Sequence, residues 1–165
     1  VGRSNAALCI EAFGLMMAEP TPKIALLGSG TGKRFEGICK EVLELHVHYN
    51  TKEPFKFKGV EYENWDDFLQ EVEDRELPYT TQLALINKYC SDDEEGGEPS
   101  SCDLPDLIEK FRERVLKAKI TPGQHDVLLT TACQAKGLEW EQVKVLDDYI
   151  PLLKFEEVPK DHTFH

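Results

Sequence analysis

The sequence predicts an α/β fold in which short buried strands alternate with amphipathic helices. An apolar run at 23–28 precedes a glycine-rich turn, and the apolar residues of 34–45 have the spacing of a helix. Much further along, the run 128–131 leads into a polar turn and a second run at 143–148, and we interpret both runs as strands. Short apolar runs bounded by glycine and polar residues are typical of buried strands. We therefore expect a strand and a helix first, a mostly helical middle, and two strands at the end.

Capping residues and prolines mark the other elements. Residues 6–18 are largely apolar, with Ser4 or Asn5 in position to cap a helix and Pro20 in position to end it. The middle of the chain contains further expected helices and one short strand. These elements are a helix capped by Asn64, a helix after Pro78, a helix from Pro105 to about Ala118, and a strand near 55–57.

The charge of the chain is strongly negative, but it is unevenly distributed. The chain has 31 acidic and 19 basic residues and a net charge of −12, which gives a poor overall field for nucleic acid. The acidic residues concentrate in 61–76 and 91–98, whereas 110–119 is locally basic. One interpretation of the acidic segments is a non-catalytic protein-interaction module that recruits basic partners.

Composition also limits the compartment and the kind of site. The longest apolar runs are far shorter than the roughly 20 residues that span a bilayer, and the start shows no signal-peptide pattern, so we expect no membrane partner. The five cysteines are an odd number without a C-x-x-C pair, which favours reduced thiols, and we expect no metal site. The chain begins abruptly in what is predicted to be the end of a strand, and we interpret it as a fragment of a larger protein.

The glycine turn at 28–32 shares some features with a phosphate-binding loop. A strand precedes the turn, a helix follows it, and Lys33 is in position to meet an anion. Two fixed positions differ, because Leu27 stands where a phosphate loop needs glycine and Arg34 stands where it needs a magnesium-binding serine or threonine. A small nucleotide-binding protein that uses Gly28–Gly32 remains an alternative function.

The polar turn between the last two expected strands carries the most specific pattern. The pattern T-x-x-x-A-K-G-L-E-W begins at Thr131 and ends at Trp140. A glycine lets backbone approach a ligand closely, a lysine side chain reaches phosphates, and a carboxylate accepts hydrogen bonds from ribose hydroxyls. The pattern resembles the motif that couples nucleotide to DNA in UvrD-like superfamily 1 helicases.

Other segments resemble the same helicases. Residues 2–6, Gly-Arg-Ser-Asn-Ala, are similar to the R-[ST]-N-A motif at the start of the second motor domain. The runs 73–77, 86–89 and 145–149 are similar to eukaryotic F-box DNA helicases. The resemblance implies an α/β fold that is part of a RecA-like (P-loop NTPase-type) 2A motor domain with a mostly helical 2B-like insertion.

The resemblance also implies domain boundaries. Residues 1–45 would form the first part of the 2A-like domain, and 46–122 would form the 2B-like insertion. The segment 91–101 would be an acidic linker within that insertion. Residues 123–165 would return to the 2A-like domain and carry the A-K-G-L-E-W motif.

The resemblance assigns functional residues to two groups. One group would lie along single-stranded DNA, and the other would face the ATP cleft of the motor. The DNA-binding residues are Arg3, Asn5, Thr131 and Cys133, and the ATP-cleft residues are Lys136, Gly137 and Glu139. Cys133 stands where these helicases usually have histidine, so we expect the link between DNA and nucleotide to differ at this residue.

Together these features imply a fragment of an ATP-dependent 3′-to-5′ DNA helicase that acts in DNA repair or recombination in the nucleus. The implied partners are single-stranded DNA, the missing 1A motor domain of the same protein, and ubiquitin-ligase components that bind the parent. ATP and Mg²⁺ would serve the full-length parent. The sequence has no true phosphate loop, magnesium-binding D-E-x-x strand or later arginine motif, and phosphoryl transfer needs these groups together. We therefore expect that this chain alone binds neither cofactor and is inactive as an ATPase and a helicase.

Overall fold

The computed structural model describes residues 1–90, 104–118, 120 and 123–146. Helices and short strands alternate along these residues, as an α/β chain requires. The elements are α1 Asn5–Met16, β1 Ile24–Leu26, α2 Thr31–His46, β2 Phe55–Phe57, β3 Val60–Tyr62, α3 Trp65–Asp74, α4 Thr80–Cys90, α5 Leu104–Phe111, a π-helical turn Arg112–Leu116, β4 Val127–Leu129 and α6 Ala132–Ala135. The expected first strand and the expected helices of residues 1–90 are confirmed. The predicted linker at 91–101 lies outside the described residues.

Strand β4 has a neighbour on each of its two edges. On one edge β1 runs parallel to it, with Ile24 opposite Val127, and Leu27 N donates to Leu129 O at 2.9 Å. On the other edge Gly2 forms a parallel bridge with Thr131. In that bridge Gly2 N donates to the carbonyl of Thr130, the residue directly after β4, at 3.0 Å. The order is therefore residues 1–3, β4, β1, and the chain leaves all three at the same edge.

The prediction of a strand directly after the A-K-G-L-E-W turn is wrong for the described residues. Thr131 is followed by the short helix α6, and residues 142–146 form no regular strand. One pair of bonds does follow the parallel pattern, because Val1 N donates to Lys144 O at 2.6 Å and Leu146 N donates to Val1 O at 2.9 Å. A strand needs several successive bonds of this kind, and among the described residues 142–146 have only this one pairing. Residues 147 and 148 lie outside the described residues.

The middle of the chain contains a β-hairpin where we expected one strand. Strands β2 and β3 pair antiparallel, with Phe55 opposite Tyr62. Lys58 and Gly59 connect them, and both have positive φ, 51° and 84°. This is the backbone that a two-residue hairpin turn of the favoured hand requires. The signal in the sequence was a Lys-Gly pair between two short runs with alternating apolar residues.

An aromatic cluster holds the hairpin against α3. Tyr62 and Trp65 contact the ring of Phe68 at centroid distances of 5.0 and 5.3 Å, and such edge-on and tilted pairs are favourable beyond their buried area. Asn64 caps α3, because its Oδ1 accepts a hydrogen bond from Asp67 N at 3.0 Å. The predicted cap of this helix is confirmed.

A single hydrophobic core joins the segments assigned to 2A and to the insertion. Phe111 of α5 stacks on Phe13 of α1, with 4.0 Å between ring centroids and 1° between ring planes. Phe111 also contacts Phe35 of α2 at 6.1 Å. Each of α1, α2, α3, α4 and α5 supplies fully buried side chains, among them Leu8, Phe13, Phe35, Val42, Leu45, Phe68, Leu85, Ile86, Leu107, Ile108 and Phe111.

The helix expected from Pro105 to Ala118 changes its winding after Phe111. Residues 112–116 form a π-helical turn, in which Lys117 N donates to Arg112 O at 2.8 Å. The guanidinium of Arg112 binds both carboxylate oxygens of Glu36 on α2, at 2.9 and 3.1 Å. A bidentate pair of this kind fixes the orientation of both side chains. It anchors Arg112 to α2 at the residue where the wider turn begins.

None of the helices that the structure describes is both long and apolar enough to cross a membrane.

Replacing Phe111 with alanine should destabilise the whole fold. The substitution removes a fully buried ring that contacts both α1 and α2, and a buried Phe→Ala change costs about 3–5 kcal/mol. Chemical denaturation followed by circular dichroism should show one transition with this loss. Val47→Ala is the matched control, because Val47 is 66% exposed. Two separate transitions in the wild type would contradict a shared core.

Candidate functional site

The candidate site lies at the edge where the chain leaves the three parallel segments. Residues 3–5 follow Gly2, residues 27–30 follow β1, and residues 130–136 follow β4. Ligands of parallel α/β sheets bind outside the carboxyl ends of the strands, where loops from neighbouring strands meet. The two motifs found in the sequence supply two of these three loops.

The bridge between Gly2 and Thr131 brings the two predicted DNA-binding segments together. It sets residues 3–5 beside residues 130–132, because Ala132 N also donates to Gly2 O at 3.0 Å. Arg3 is exposed. Ser4 is the N-cap of α1, since its Oγ accepts from Ala7 N at 3.2 Å. This settles the choice between Ser4 and Asn5 as the cap.

Asn5 occupies the first turn of α1 with one oxygen unsatisfied. Its Oδ1 is buried and accepts no hydrogen bond from the described residues. A buried amide oxygen without a donor costs free energy, so a donor from a ligand or another segment would stabilise it. The position of Asn5, beside the Gly2–Thr131 bridge, agrees with a role at this edge.

Thr131 and Cys133 differ sharply in exposure. Thr131 is 8% exposed, and its Oγ1 donates to Gln134 Oε1 at 3.0 Å. Its carbonyl accepts from Gln134 N and Ala135 N at 3.0 and 2.9 Å, so Thr131 also starts α6. Cys133 is exposed on that helix. Of the four predicted DNA-binding residues, Arg3 and Cys133 therefore present their side chains most openly.

The predicted ATP-cleft residues follow α6 as an open turn. Lys136, Gly137 and Glu139 are exposed, and Gly137 has a φ of +81°. Leu138 N donates to Ala135 O at 3.0 Å, which closes the turn. A positive φ is strained for residues with a side chain, so glycine suits this position. Within the described residues, no second wall faces these side chains.

A separate cavity of about 530 Å³ lies along β4 and does not include the predicted site residues. Its walls are β4, one face of α1 and the segment 140–146. His125 also lines the cavity, and its Nδ1 atom is buried and has no hydrogen-bond partner among the described residues. Lys144 at its rim pairs with Glu11 at 2.7 Å. The cavity is thus a neighbour of the site and not part of it.

The glycine turn after β1 contributes the third loop. Gly28 and Gly30 have φ values of +112° and +95°, and α2 begins directly after them. Thr31 is 2% exposed, and its hydroxyl donates to Leu27 O at 3.3 Å. Lys33 is exposed on the first turn of α2. The turn therefore has glycines with positive φ and a nearby cation, Lys33. The buried hydroxyl of Thr31, at its end, already donates a hydrogen bond to Leu27 O.

Sequence reasoning missed Gln134, which links two of the three loops. Its side-chain amide lies directly against Gly28, and a Cβ placed on Gly28 would overlap it. The same amide accepts the hydrogen bond from Thr131. Gln134 occupies a variable position of the motif pattern, so the pattern itself carried no signal for this role.

The thiols fall into buried and accessible classes. Cys9 and Cys39 have no exposed surface, and burial raises the pKa of both, that of Cys39 to about 12. The nearby Glu36 carboxylate raises the pKa of Cys39 further. Cys133 is exposed. The part of the chain that the structure describes contains no group of three or more His, Cys, Asp or Glu side chains arranged to hold a metal ion.

Comparison with curated proteins finds a similarity to a DNA helicase. The chain is similar to F-box DNA helicase protein 1 of Schizosaccharomyces pombe (strain 972 / ATCC 24843), with 29% identity over 157 residues. The similarity covers 94% of this chain and 16% of the yeast protein, so the chain spans about one sixth of that relative. No protein-family model matches the chain, and no solved structure matches it. The match supports the helicase relationship that the motifs indicated.

Alkylation of the native protein should label Cys133 and leave Cys9 and Cys39 unmodified. The thiolate is the reactive form, and both burial and a raised pKa suppress it at Cys9 and Cys39. Peptide mass mapping after a short iodoacetamide treatment measures each site. Denatured protein is the control, in which all these thiols should react. Rapid native labelling of Cys39 would contradict the described packing of α2.

Proposed function

We propose that this chain is a fragment of an ATP-dependent 3′-to-5′ DNA helicase, and that it contributes contacts to single-stranded DNA and to the ATP cleft. The observation that carries the proposal is the meeting of the two motif segments, 2–6 and 131–140, at one edge of the parallel strands. Similarity to an F-box DNA helicase over 94% of the chain supports it.

The DNA-contacting part of the proposed site consists of Arg3, Asn5, Thr131 and Cys133. Arg3 is exposed beside the bridge and suits a phosphate group, because a guanidinium binds phosphate oxygens in pairs. Asn5 offers an amide whose oxygen needs a donor, such as a base or a backbone group. The net charge of −12 would weaken long-range attraction, so these local contacts must supply the affinity.

The ATP-contacting part consists of Lys136, Gly137 and Glu139 on the open turn after α6. Lys136 would reach phosphates, and Glu139 would accept from ribose hydroxyls. These residues form one wall of a cleft whose other wall, phosphate loop and magnesium site belong to the 1A domain of the parent. ATP and Mg²⁺ are therefore cofactors of the parent, and this chain alone neither binds them tightly nor hydrolyses ATP.

The proposed setting of the parent is DNA repair or recombination in the nucleus. Its proposed partners are single-stranded DNA and ubiquitin-ligase components, the latter by analogy with the F-box name of the similar yeast protein. RecA-like 2A and 2B assignments belong to the same proposal, with 1–45 and 123–165 as 2A and 46–122 as the insertion.

The acidic-module alternative draws on the surface of α3. The helix exposes Asp66, Glu73 and Asp74, while Glu71 pairs with Arg75 at 2.9 Å. A solvent-facing acidic helix could attract a basic partner protein. Binding of such a partner without any effect of Arg3 or Lys136 would favour this alternative.

The nucleotide-binding alternative, which uses the Gly28–Gly32 turn, has less support. The side chain of Gln134 fills the space beside Gly28 that a phosphate would have to enter. The Thr31 hydroxyl donates to Leu27 O and is not directed at the turn. Nucleotide binding abolished by Lys33→Ala would nevertheless favour this alternative.

Removing a cation at the proposed edge should weaken the binding of single-stranded DNA and should make the remaining binding less dependent on salt. For Arg3→Ala, fluorescence anisotropy with an oligothymidylate should show lower affinity, and for Lys136→Ala a smaller loss is expected, because Lys136 is a cation that follows the DNA-contacting residues but faces the proposed ATP cleft. Each lost phosphate contact should reduce the slope of log K against log salt by about 1. Lys88→Ala is the matched control, since Lys88 is exposed on α4 and outside the edge. Equal effects of all three substitutions would argue for non-specific attraction.

The purified chain should show no metal-dependent ATPase activity, because it lacks the groups that phosphoryl transfer requires. A coupled phosphate-release assay with ATP and Mg²⁺ measures this. Phosphate release that depends on Mg²⁺ and disappears with Lys33→Ala would overturn the assignment of the missing phosphate site to another domain.

A further inference from the structure

Gln134 is the side chain through which the loop after β1 and the loop after β4 contact each other. Its Oε1 accepts the hydroxyl hydrogen of Thr131 at 3.0 Å. Its amide lies against Gly28, so close that a Cβ at position 28 would overlap it unless the amide moved. Gln134 is itself only partly buried. One amide therefore occupies the space between two loops of the candidate site.

The contact lies where the strands no longer hold the two loops. The last ladder bond between the strands runs from Leu27 N to Leu129 O. Beyond it the chain turns away at Gly28, where φ is +112°, and at Thr131, where α6 begins. Backbone pairing thus fixes the bases of the loops, and Gln134 fixes their positions beyond the sheet.

The position of Gln134 in the motif places it between the two predicted functions. Two of the predicted DNA-binding residues, Thr131 and Cys133, precede Gln134 in the sequence. Two of the predicted ATP-cleft residues, Lys136 and Gly137, follow it. Because α6 has only four residues, a rotation of this short helix would move both groups. A side chain that locks α6 against the neighbouring loop restrains that rotation.

We propose that Gln134 is a positioning residue, which locks α6 against the Gly28 turn so that the DNA-contacting and cleft-contacting residues keep one fixed arrangement. The proposal rests on the proposed function of this edge. Gly28 is part of the same device, because a side chain at position 28 would displace the amide and would also be strained by the positive φ. The hydrogen bond from Thr131 sets the orientation of the amide, and the contact with Gly28 limits its movement.

The first experiment tests the contact itself with a double-mutant cycle on the 165-residue chain. Gly28→Ala should lower the melting temperature through both the strained φ and the clash with Gln134. In the Gln134→Ala background the clash is absent and only the strained φ remains, so the loss caused by Gly28→Ala should be smaller. Equal losses in the two backgrounds would show that Gln134 does not restrain the Gly28 turn, and would overturn the proposal.

The second experiment tests the positioning role with single-stranded DNA. Gln134→Ala should weaken oligothymidylate binding about fivefold or more at a temperature where both proteins are folded. Gln134→Met keeps the length and the packing on Gly28 but lacks a strong acceptor for the Thr131 hydroxyl. It should retain most of the melting temperature and lose affinity as Gln134→Ala does. Gln70→Ala is the matched control, because Gln70 is an exposed glutamine on α3.

The outcomes separate the positioning role from the proposed function. If the wild type binds DNA and Gln134→Met restores wild-type affinity, the residue only fills space, and the positioning role is excluded. If Gln134→Ala binds as tightly as the wild type, the positioning role is excluded while the proposed function stands. If the wild type does not bind single-stranded DNA, the proposed function fails, and a positive double-mutant cycle would then establish a purely structural contact.

Discussion

The structure depends on the pairing of β4 along both of its edges. The carbonyl of Leu129, the last residue of β4, and that of Thr130, directly after it, accept from Leu27 and Gly2 on opposite sides. This backbone pairing aligns three chain segments from distant parts of the sequence in one direction. Each segment then turns away at the same edge, and the candidate site consists of those turns. The bonds that Gly2 makes with Thr130 and Ala132 set the residues of the first motif beside those of the second.

A shared core between α1, α2 and α5 supports this arrangement. Residues assigned to the insertion share a core with α1 and α2, through the stack of Phe111 on Phe13 and the bidentate pair between Arg112 and Glu36. The hydrogen bonds with Glu36 stabilise the charged form of Arg112 and so raise the pKa of its guanidinium. The glycine turn is attached directly to α2, so the packing of α2 on α1 and α5 also fixes the position of that turn.

Local patterns in the sequence predicted what local forces determine. Proline, capping residues and apolar spacing identified α1, β1, α2 and α3, and the cap at Asn64 was correct because it depends on residues one turn away. The π-helical turn after Phe111 and the contact of Gln134 with Gly28 were not predictable, since both depend on a partner far along the chain. The missing strand at 143–146 has the same origin, because an apolar run forms a strand only where a neighbour pairs with it.

The motif residues were named from a resemblance, and the structure adds their solvent exposure. Arg3 and Cys133 are exposed, while Thr131 is buried.

The pairing of the first residues with the last described ones also constrains the order of folding. Val1 and Lys144 are bonded although they are 143 positions apart, and closing an unstructured loop of that length costs roughly 4 kcal/mol. Because helices form on local contacts, we expect α1, α2 and α5 to form their common core first, which shortens the loop that remains to be closed. We therefore expect the motif segments to meet late, after these helices have packed. Substitutions in the aromatic cluster around Phe68 would then slow assembly of an edge that they do not touch.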